Sequence, residues 1–361
     1  MNWACAIACV LIGGFVAPSA GAAGDQLPRR NPSSAEPLAR VETTFGEIAA
    51  GGDLRLRTIA TRPEGSSGRL PAVYFVQWLS CDSVEIGTGN DGWTRMLRSL
   101  VQDSGMVVLR LEKAGVGDSE GGPCSELDYD TELAHHRQAL GSLFEHPWVD
   151  RERVFVFGAS MGSNFAPLLA RGLPLRGVAV WGGGARTWFE RQLGFERRAL
   201  ELGGAAGAQI DDRMRKLGRI YAAVLLDRRN LDEIAANDSA LAADWKLVTG
   251  SAGTTQFGRP LAFHQQAQVQ QWAAAWESVD APVLALFGEY DWFDDPAAVE
   301  LIGTIVNRRT PGRAQVHILP GIDHHFVRYR SPAEAFAESG GAPDAAAVMD
   351  ILLPWLHQHA D

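Results

Sequence analysis

The chain has 361 residues, 46% hydrophobic and 21% charged, which suits one large α/β domain or a core with an insertion, and excludes a disulfide- or metal-stapled miniature and wholesale disorder. Lys and Arg number 33 against 43 Asp and Glu, a net charge of −10 without basic runs, which excludes phosphate-tracking nucleic-acid binding and attachment to anionic membranes. No internal apolar run reaches the roughly 18–20 residues of a bilayer span, so stable membrane insertion is not expected.

Residues 1–22 carry no charged side chain and end in the small residues Ser19-Ala20-Gly21-Ala22. They read as a secretory signal with an Ala-x-Ala cleavage site, although no Lys or Arg precedes the apolar stretch. The expectation is an exported protein, periplasmic or secreted. Cys5 and Cys9 fall in that segment, which leaves Cys81 and Cys124 as an even pair. Residues 23–39 are rich in Pro, Ser and Arg and form a flexible lead-in.

From residue 40 onward, apolar runs bounded by turn residues recur. Val41–Phe45 and Leu54–Ala60 suggest an opening antiparallel pair. Pro71–Gln77, Met106–Leu111, Val154–Phe157, Gly177–Trp181, Pro282–Phe287 and Gln315–Leu319 lack alternation, the pattern of central strands covered on both faces. Helical patterns at Trp93–Val101, Glu132–Phe144, Met161–Ala170 and Ala345–Leu356 separate them. Alternating strand and helix predict a mostly parallel, doubly wound sheet with right-handed crossovers. Residues 185–278 break the rhythm with aromatic residues and charges at helical spacing and no convincing strand. They predict a helical lid between a first core segment, 40–184, and a second, 279–361.

Two stretches match G-x-S-x-G: Gly158-Ala-Ser160-Met-Gly162 and Gly117-Asp-Ser119-Glu-Gly121. Only Ser160 follows a β-rich run and precedes a helical pattern, the strand-to-helix turn that exposes a nucleophilic hydroxyl. Ser119 leads into Gly121-Gly122-Pro123, which cannot start a helix, so it is read as a loop residue. A serine nucleophile needs a base to take its proton and an acid to orient that base. The run ending at Phe287 leads to Asp291, Asp294 and Asp295, and the run ending at Leu319 leads to His324 and His325. Asp295 precedes Pro296 and fits a helix N-cap with Pro at the first helical position. Asp291 and Asp294 both remain open, as do the two histidines.

At these motifs the chain resembles the α/β-hydrolase superfamily, in its lid-bearing branch of serine esterases, lipases and peptidases, over roughly Arg40 to the C-terminus. The residues that carry the resemblance are the Gly158–Gly162 elbow, Gly288-x-x-Asp291, Gly321-x-x-His324 and Lys113-Ala-Gly-Val-Gly-Asp-Ser-Glu-Gly121. The resemblance implies an α/β-hydrolase fold, with Ser160 as nucleophile, His324 as base and Asp291 as acid. It places the oxyanion hole on the backbone amides of Met161 and Leu79, and here Trp78 stands where the family usually has Gly. It also makes the loops carrying Cys81 and Cys124 neighbours, which implies a disulfide between them.

Trp78, Trp181, Trp188, Trp292 and His325 fall near the implied pocket and are the candidate substrate contacts. The lid arginines Arg186, Arg191, Arg197 and Arg198 form either a solvated face or a contact to a substrate carboxylate. The expected activity is hydrolysis of a carboxylic ester of a fairly apolar small molecule through an acyl-enzyme. An amidase or peptidase on the same triad and a non-catalytic binding protein of this fold are the alternatives. No cofactor and no metal are expected.

Overall fold

The computed structural model describes residues 27–30, 36, 38–249 and 255–361. The segment read as a signal, 1–22, lies outside the described residues, as does most of the lead-in.

The first half follows the predicted order: β1 (Val41–Ala49), β2 (Arg55–Pro63), β3 (Leu70–Val76), α1 (Gly92–Asp103), β4 (Val107–Leu111), α2 (Tyr129–Glu145), β5 (Val149–Ala159), α3 (Met161–Ala170) and β6 (Gly177–Trp181). Next come helices α4 (Trp188–Leu202), α5 (Gly207–Tyr221), α6 (Leu231–Asn237) and α7 (Ser239–Thr249), with a π-helical turn at Ala222–Leu226. The short strands β7 (Thr255–Gln256) and β8 (Arg259–Pro260) pair antiparallel before α8 (Leu261–Gln268) and α9 (Trp272–Glu277). The chain closes through β9 (Val283–Gly288), α10 (Pro296–Arg309), β10 (Ala314–Leu319), β11 (Val327–Arg328), α11 (Pro332–Phe336), β12 (Ala342–Pro343) and α12 (Ala346–Ala360).

Eight strands form one sheet in the order β1-β2-β4-β3-β5-β6-β9-β10. Strand β2 runs antiparallel to both β1 and β4, and the remaining pairs are parallel. The uninterrupted apolar strands are buried on both faces because successive side chains point to opposite sides. In β3, Ala72, Tyr74 and Val76 join Leu133, Leu140 and Leu143 of α2 and Phe165 of α3 in one core. Val73 and Phe75 join Met96, Leu97 and Leu100 of α1 and Leu352 and Trp355 of α12 in the other. Each fully buried side chain of this size contributes about 1.5–3 kcal/mol.

The pairing register aligns strand ends at one edge: Val76 with Gly158, Ala159 with Trp181, Trp181 with Leu286, and Gly288 with Leu319. The loops that carry the candidate residues therefore leave the sheet side by side.

The interval 185–278 is not purely helical. The β7–β8 hairpin turns on Phe257 and Gly258, both at positive φ (53° and 70°). Two-residue strands are too short to leave an alternating pattern in the sequence.

Candidate active site

Ser160 stands between β5 and α3 with φ 56° and ψ −117°. A non-glycine residue held in such a conformation stores of order 1–3 kcal/mol of strain. Two glycines permit it. A Cβ on Gly162 would lie 2.0 Å from the Val76 carbonyl oxygen, and one on Gly158 would lie 2.2 Å from the Gly162 carbonyl oxygen. The Ser160 amide donates to the Trp181 carbonyl at 2.7 Å, and the Ser163 hydroxyl donates to the same oxygen at 2.8 Å. Helix α3 therefore begins hard against the end of β3, with Met161 as its first residue directly after Ser160.

The loops after β9 and β10 bring the other two candidates to Ser160. His324 Nε2 lies 2.8 Å from Ser160 Oγ, and its Nδ1 lies 2.6 Å from Asp291 Oδ2. With Nδ1–H donating to the carboxylate, Nε2 is left to accept the serine proton. Asp291 also accepts from the Phe293 amide at 2.9 Å, which fixes the carboxylate plane. The His324 loop is shaped by Asp323, whose carboxylate accepts from the amides of His325 (2.9 Å) and Val327 (2.8 Å). Trp181 Nε1 donates to the His324 carbonyl at 3.1 Å. Gly182, at φ 68°, leaves space for the imidazole, since a Cβ there would come within 2.9 Å of the ring.

The alternatives to these residues are engaged elsewhere. Asp294 is buried and accepts from Arg191 at 3.2 Å; burial lifts its carboxyl above the usual range despite that guanidinium. Asp295 caps α10, accepting from the Ala298 amide at 3.0 Å, with Pro296 at the first helical position. Burial works against a charged His325, yet Asp323, Asp291 and Glu338 hold its imidazole above the ordinary histidine range. Ser119 is fully buried, and its hydroxyl accepts from the Arg57 amide (2.8 Å) and donates to the Glu112 carbonyl (2.9 Å).

Cys81 and Cys124 are joined in a disulfide with Cα atoms 5.8 Å apart, inside the range that bond requires. The bond ties the loop after β3 to the loop after β4.

Ser160, Met161, His324 and Leu79 open onto a cavity of about 600 Å³. Its walls are apolar and aromatic: Trp78, Ile86, Trp93, Leu97, Phe195, Phe257 and Phe293. Trp78 packs on Trp93 with ring centroids 4.6 Å apart, and Phe293 lies 4.7 Å from the His324 ring. Trp78 and His325 line this space as expected. Three expected contacts need correction. Trp181 is 0% exposed and lies beneath the His324 loop, stacked on Phe326 at 4.7 Å. Trp188 is also 0% exposed and donates to His264 Nδ1 at 3.1 Å. Trp292 lies behind the wall, stacked on Phe195 (5.2 Å) and Phe293 (4.4 Å). Trp181 and Trp188 found packing partners in the core, and the half-buried Trp292 found them among the rings behind the wall.

Trp93, Phe195, Phe257 and Phe293 were missed. Phe293 was within reach, being two residues beyond Asp291. Trp93 opens an amphipathic helix, and nothing local sets its turned side apart. The four arginines singled out between residues 185 and 278 all pair within the chain. Arg191 pairs with Asp294, and Arg186 and Arg198 pair with Asp295, so these three bind the loop after β9; Arg197 pairs with Glu201 on the surface of α4. Every charged residue on the cavity wall has an intramolecular partner: Asp82 with Ser80, Glu85 with Arg29, Asp91 with Thr94, Arg191 with Asp294 and His325 with Asp323.

The fold is that of the α/β-hydrolases. The proline iminopeptidase of Mycobacterium smegmatis aligns with a TM-score of 0.52 and 17% identity, covering 88% of this chain and 99% of that one. Carboxyl esterase 2 of the fungus Tuber melanosporum aligns with a TM-score of 0.53 and 13% identity, covering 93% and 90%. In sequence, the chain is 32% identical over 144 residues to the esterase FrsA of Yersinia pestis. That match covers 40% of this chain and 31% of the esterase, so the chain spans about a third of the length of the curated relative. No family model matches the chain.

Proposed function

We propose that this protein is a serine hydrolase that cleaves a carboxylic ester of a fairly apolar, uncharged small molecule through an acyl-enzyme. The observation that carries the reading is the continuous relay Ser160–His324–Asp291, with contacts of 2.8 and 2.6 Å, at a strained strand-to-helix turn. Ser160 attacks the carbonyl carbon while His324 Nε2 takes its proton, and Asp291 stabilises the imidazolium. The oxyanion of the tetrahedral intermediate sits on the amides of Met161 and Leu79. His324 returns the proton to the leaving alcohol, and water repeats the cycle to release the acid.

The aromatic walls favour an apolar acyl or alcohol group, and a water-poor cavity strengthens the oxyanion hydrogen bonds. The wall cation, Arg191, is already neutralised by Asp294, which disfavours a substrate carboxylate. The Cys81–Cys124 disulfide fits an oxidising compartment and supports export of the chain. A panel of neutral aryl and alkyl esters, matching amides and carboxylate-bearing esters tests the reading. Neutral esters should be turned over fastest; preferred cleavage of the amides would move the assignment to an amidase, and preferred cleavage of the anionic esters would overturn the substrate class.

A further inference from the structure

We propose that Lys113 is a positioning residue that turns the Leu79 amide toward the oxyanion. This rests on the acyl-transfer reading of Ser160. Lys113 lies in the loop just past β4, 1% exposed and off the cavity wall. Its ammonium donates to three successive carbonyls, Trp78 at 2.5 Å, Leu79 at 3.2 Å and Ser80 at 2.9 Å, and lies 3.3 Å from Glu132 of α2.

Among the described residues no peptide is cis, so each N–H points opposite to the carbonyl of the same peptide unit. Converging the Trp78 carbonyl on Lys113 therefore directs the Leu79 N–H away from the ammonium. Leu79 lines the same cavity as Ser160 and Met161, and Lys113 does not. A cation on the carbonyl oxygen also polarises the peptide and makes its N–H a stronger donor.

A second cation reinforces the loop from the insertion. Arg259 of β8 donates from Nε to the Leu79 carbonyl (2.9 Å), from Nη1 to the Cys124 carbonyl (3.1 Å) and from Nη2 to Glu132 (2.7 Å). Buried ion pairs contribute little net stability compared with apolar packing, so the cluster is better explained by the loop geometry it imposes. It also accounts for a bulky Trp78 at this turn: the ammonium, rather than a glycine, sets the direction of the peptide.

The groups facing the ammonium are Glu132 and His136 from α2, Arg259 from β8 and Asp82 from the loop after β3. Burial pushes Lys113 down to about 8, against the pull of Glu132. The ammonium, and with it the donor orientation, is lost as pH rises through 8. Stability moves the other way: an unfolded lysine keeps its proton to about 10.5. Between these values the unfolded chain holds more protons, and this group's contribution to stability rises with pH.

The test compares the native enzyme with Lys113→Met/Glu132→Gln and Lys113→Arg, reading kcat, KM, thermal midpoint and affinity for an arylboronic acid, whose tetrahedral adduct on Ser160 needs the oxyanion donors. Removing one such donor should lower kcat about 10²–10³-fold in the double variant. KM should stay within about threefold, because Lys113 is off the wall, and boronate affinity should fall in proportion to kcat. The native kcat should decline above pH 8 with no loss of thermal midpoint, and Lys113→Arg, whose guanidinium stays charged throughout the range assayed, should lack that decline. The native profile requires no variant to fold. A folded double variant with kcat within threefold of native, or a native kcat flat through pH 10, overturns the inference. Full activity in Ser160→Ala would instead sink the acyl-transfer reading itself.

Discussion

Removing the Cys81–Cys124 bridge should weaken the fold by an amount set by the loop it closes. The two cysteines are 43 positions apart. The chain-entropy relation for a loop of that size gives about 4 kcal/mol at 25 °C. A domain of this length has an unfolding entropy near 0.7 kcal/mol/K, so the thermal midpoint should fall by roughly 6 °C. The variant to use is Cys81→Ser/Cys124→Ser, which leaves no unpaired thiol. Lys113 and Arg259 still grip the Trp78–Ser80 carbonyls, so ester turnover at 25 °C should fall by less than about tenfold. Differential scanning fluorimetry of native and variant protein in buffer without reductant, with initial rates alongside, gives both numbers. A midpoint within 1 °C of native would contradict the loop-entropy argument. Two alkylatable thiols in the folded native protein would contradict the bridge itself.

His324→Ala should lose about four orders of magnitude in kcat, because a triad acts as a unit, whereas His325→Ala should alter mainly KM; interchanged phenotypes in steady-state assays would move the base to His325. Asp291→Asn should lose about 10³–10⁴-fold in kcat through the wrong imidazole tautomer, while Asp294→Asn should lower the thermal midpoint by loosening Arg191; near-native turnover in Asp291→Asn would refute its role. Gly182→Ala forces a left-handed alanine, costing about 1–2 kcal/mol, and presses a methyl on His324. Its kcat should drop at least tenfold at unchanged KM, and unaltered kinetics would show that the ring is not confined there.

The parts of the fold that were legible in the sequence are those fixed by local chemistry. Strands such as Ala72–Val76 are apolar throughout because helices cover both faces, and no helix period fits them. The elbow was legible because only glycines tolerate the approach of α3 to β3, and Asp295-Pro296 because a cap and a fixed φ belong together. Choosing Asp291 over Asp294 needed the resemblance, since the two carboxylates differ only in which cation or imidazole the fold brings to them.

What stayed hidden depends on distant packing. Trp181 looked like a pocket wall because it ends a strand at the active edge, yet its ring turns under the His324 loop. Arg259 opens a two-residue strand with no pattern of its own, and its role exists only because Leu79, Cys124 and Glu132 come together around it. Lys113 belonged to a recognised motif, but its three carbonyl partners are 33–35 positions away.

The most direct test of the account is intact-mass analysis and peptide mapping after treatment with a fluorophosphonate. Native protein should gain one adduct, on Ser160, with loss of ester hydrolysis in step, and Ser160→Ala should neither label nor turn over. Adducts at Ser119, or hydrolysis surviving in Ser160→Ala, would contradict the claim that Ser160, His324 and Asp291 form the reacting centre.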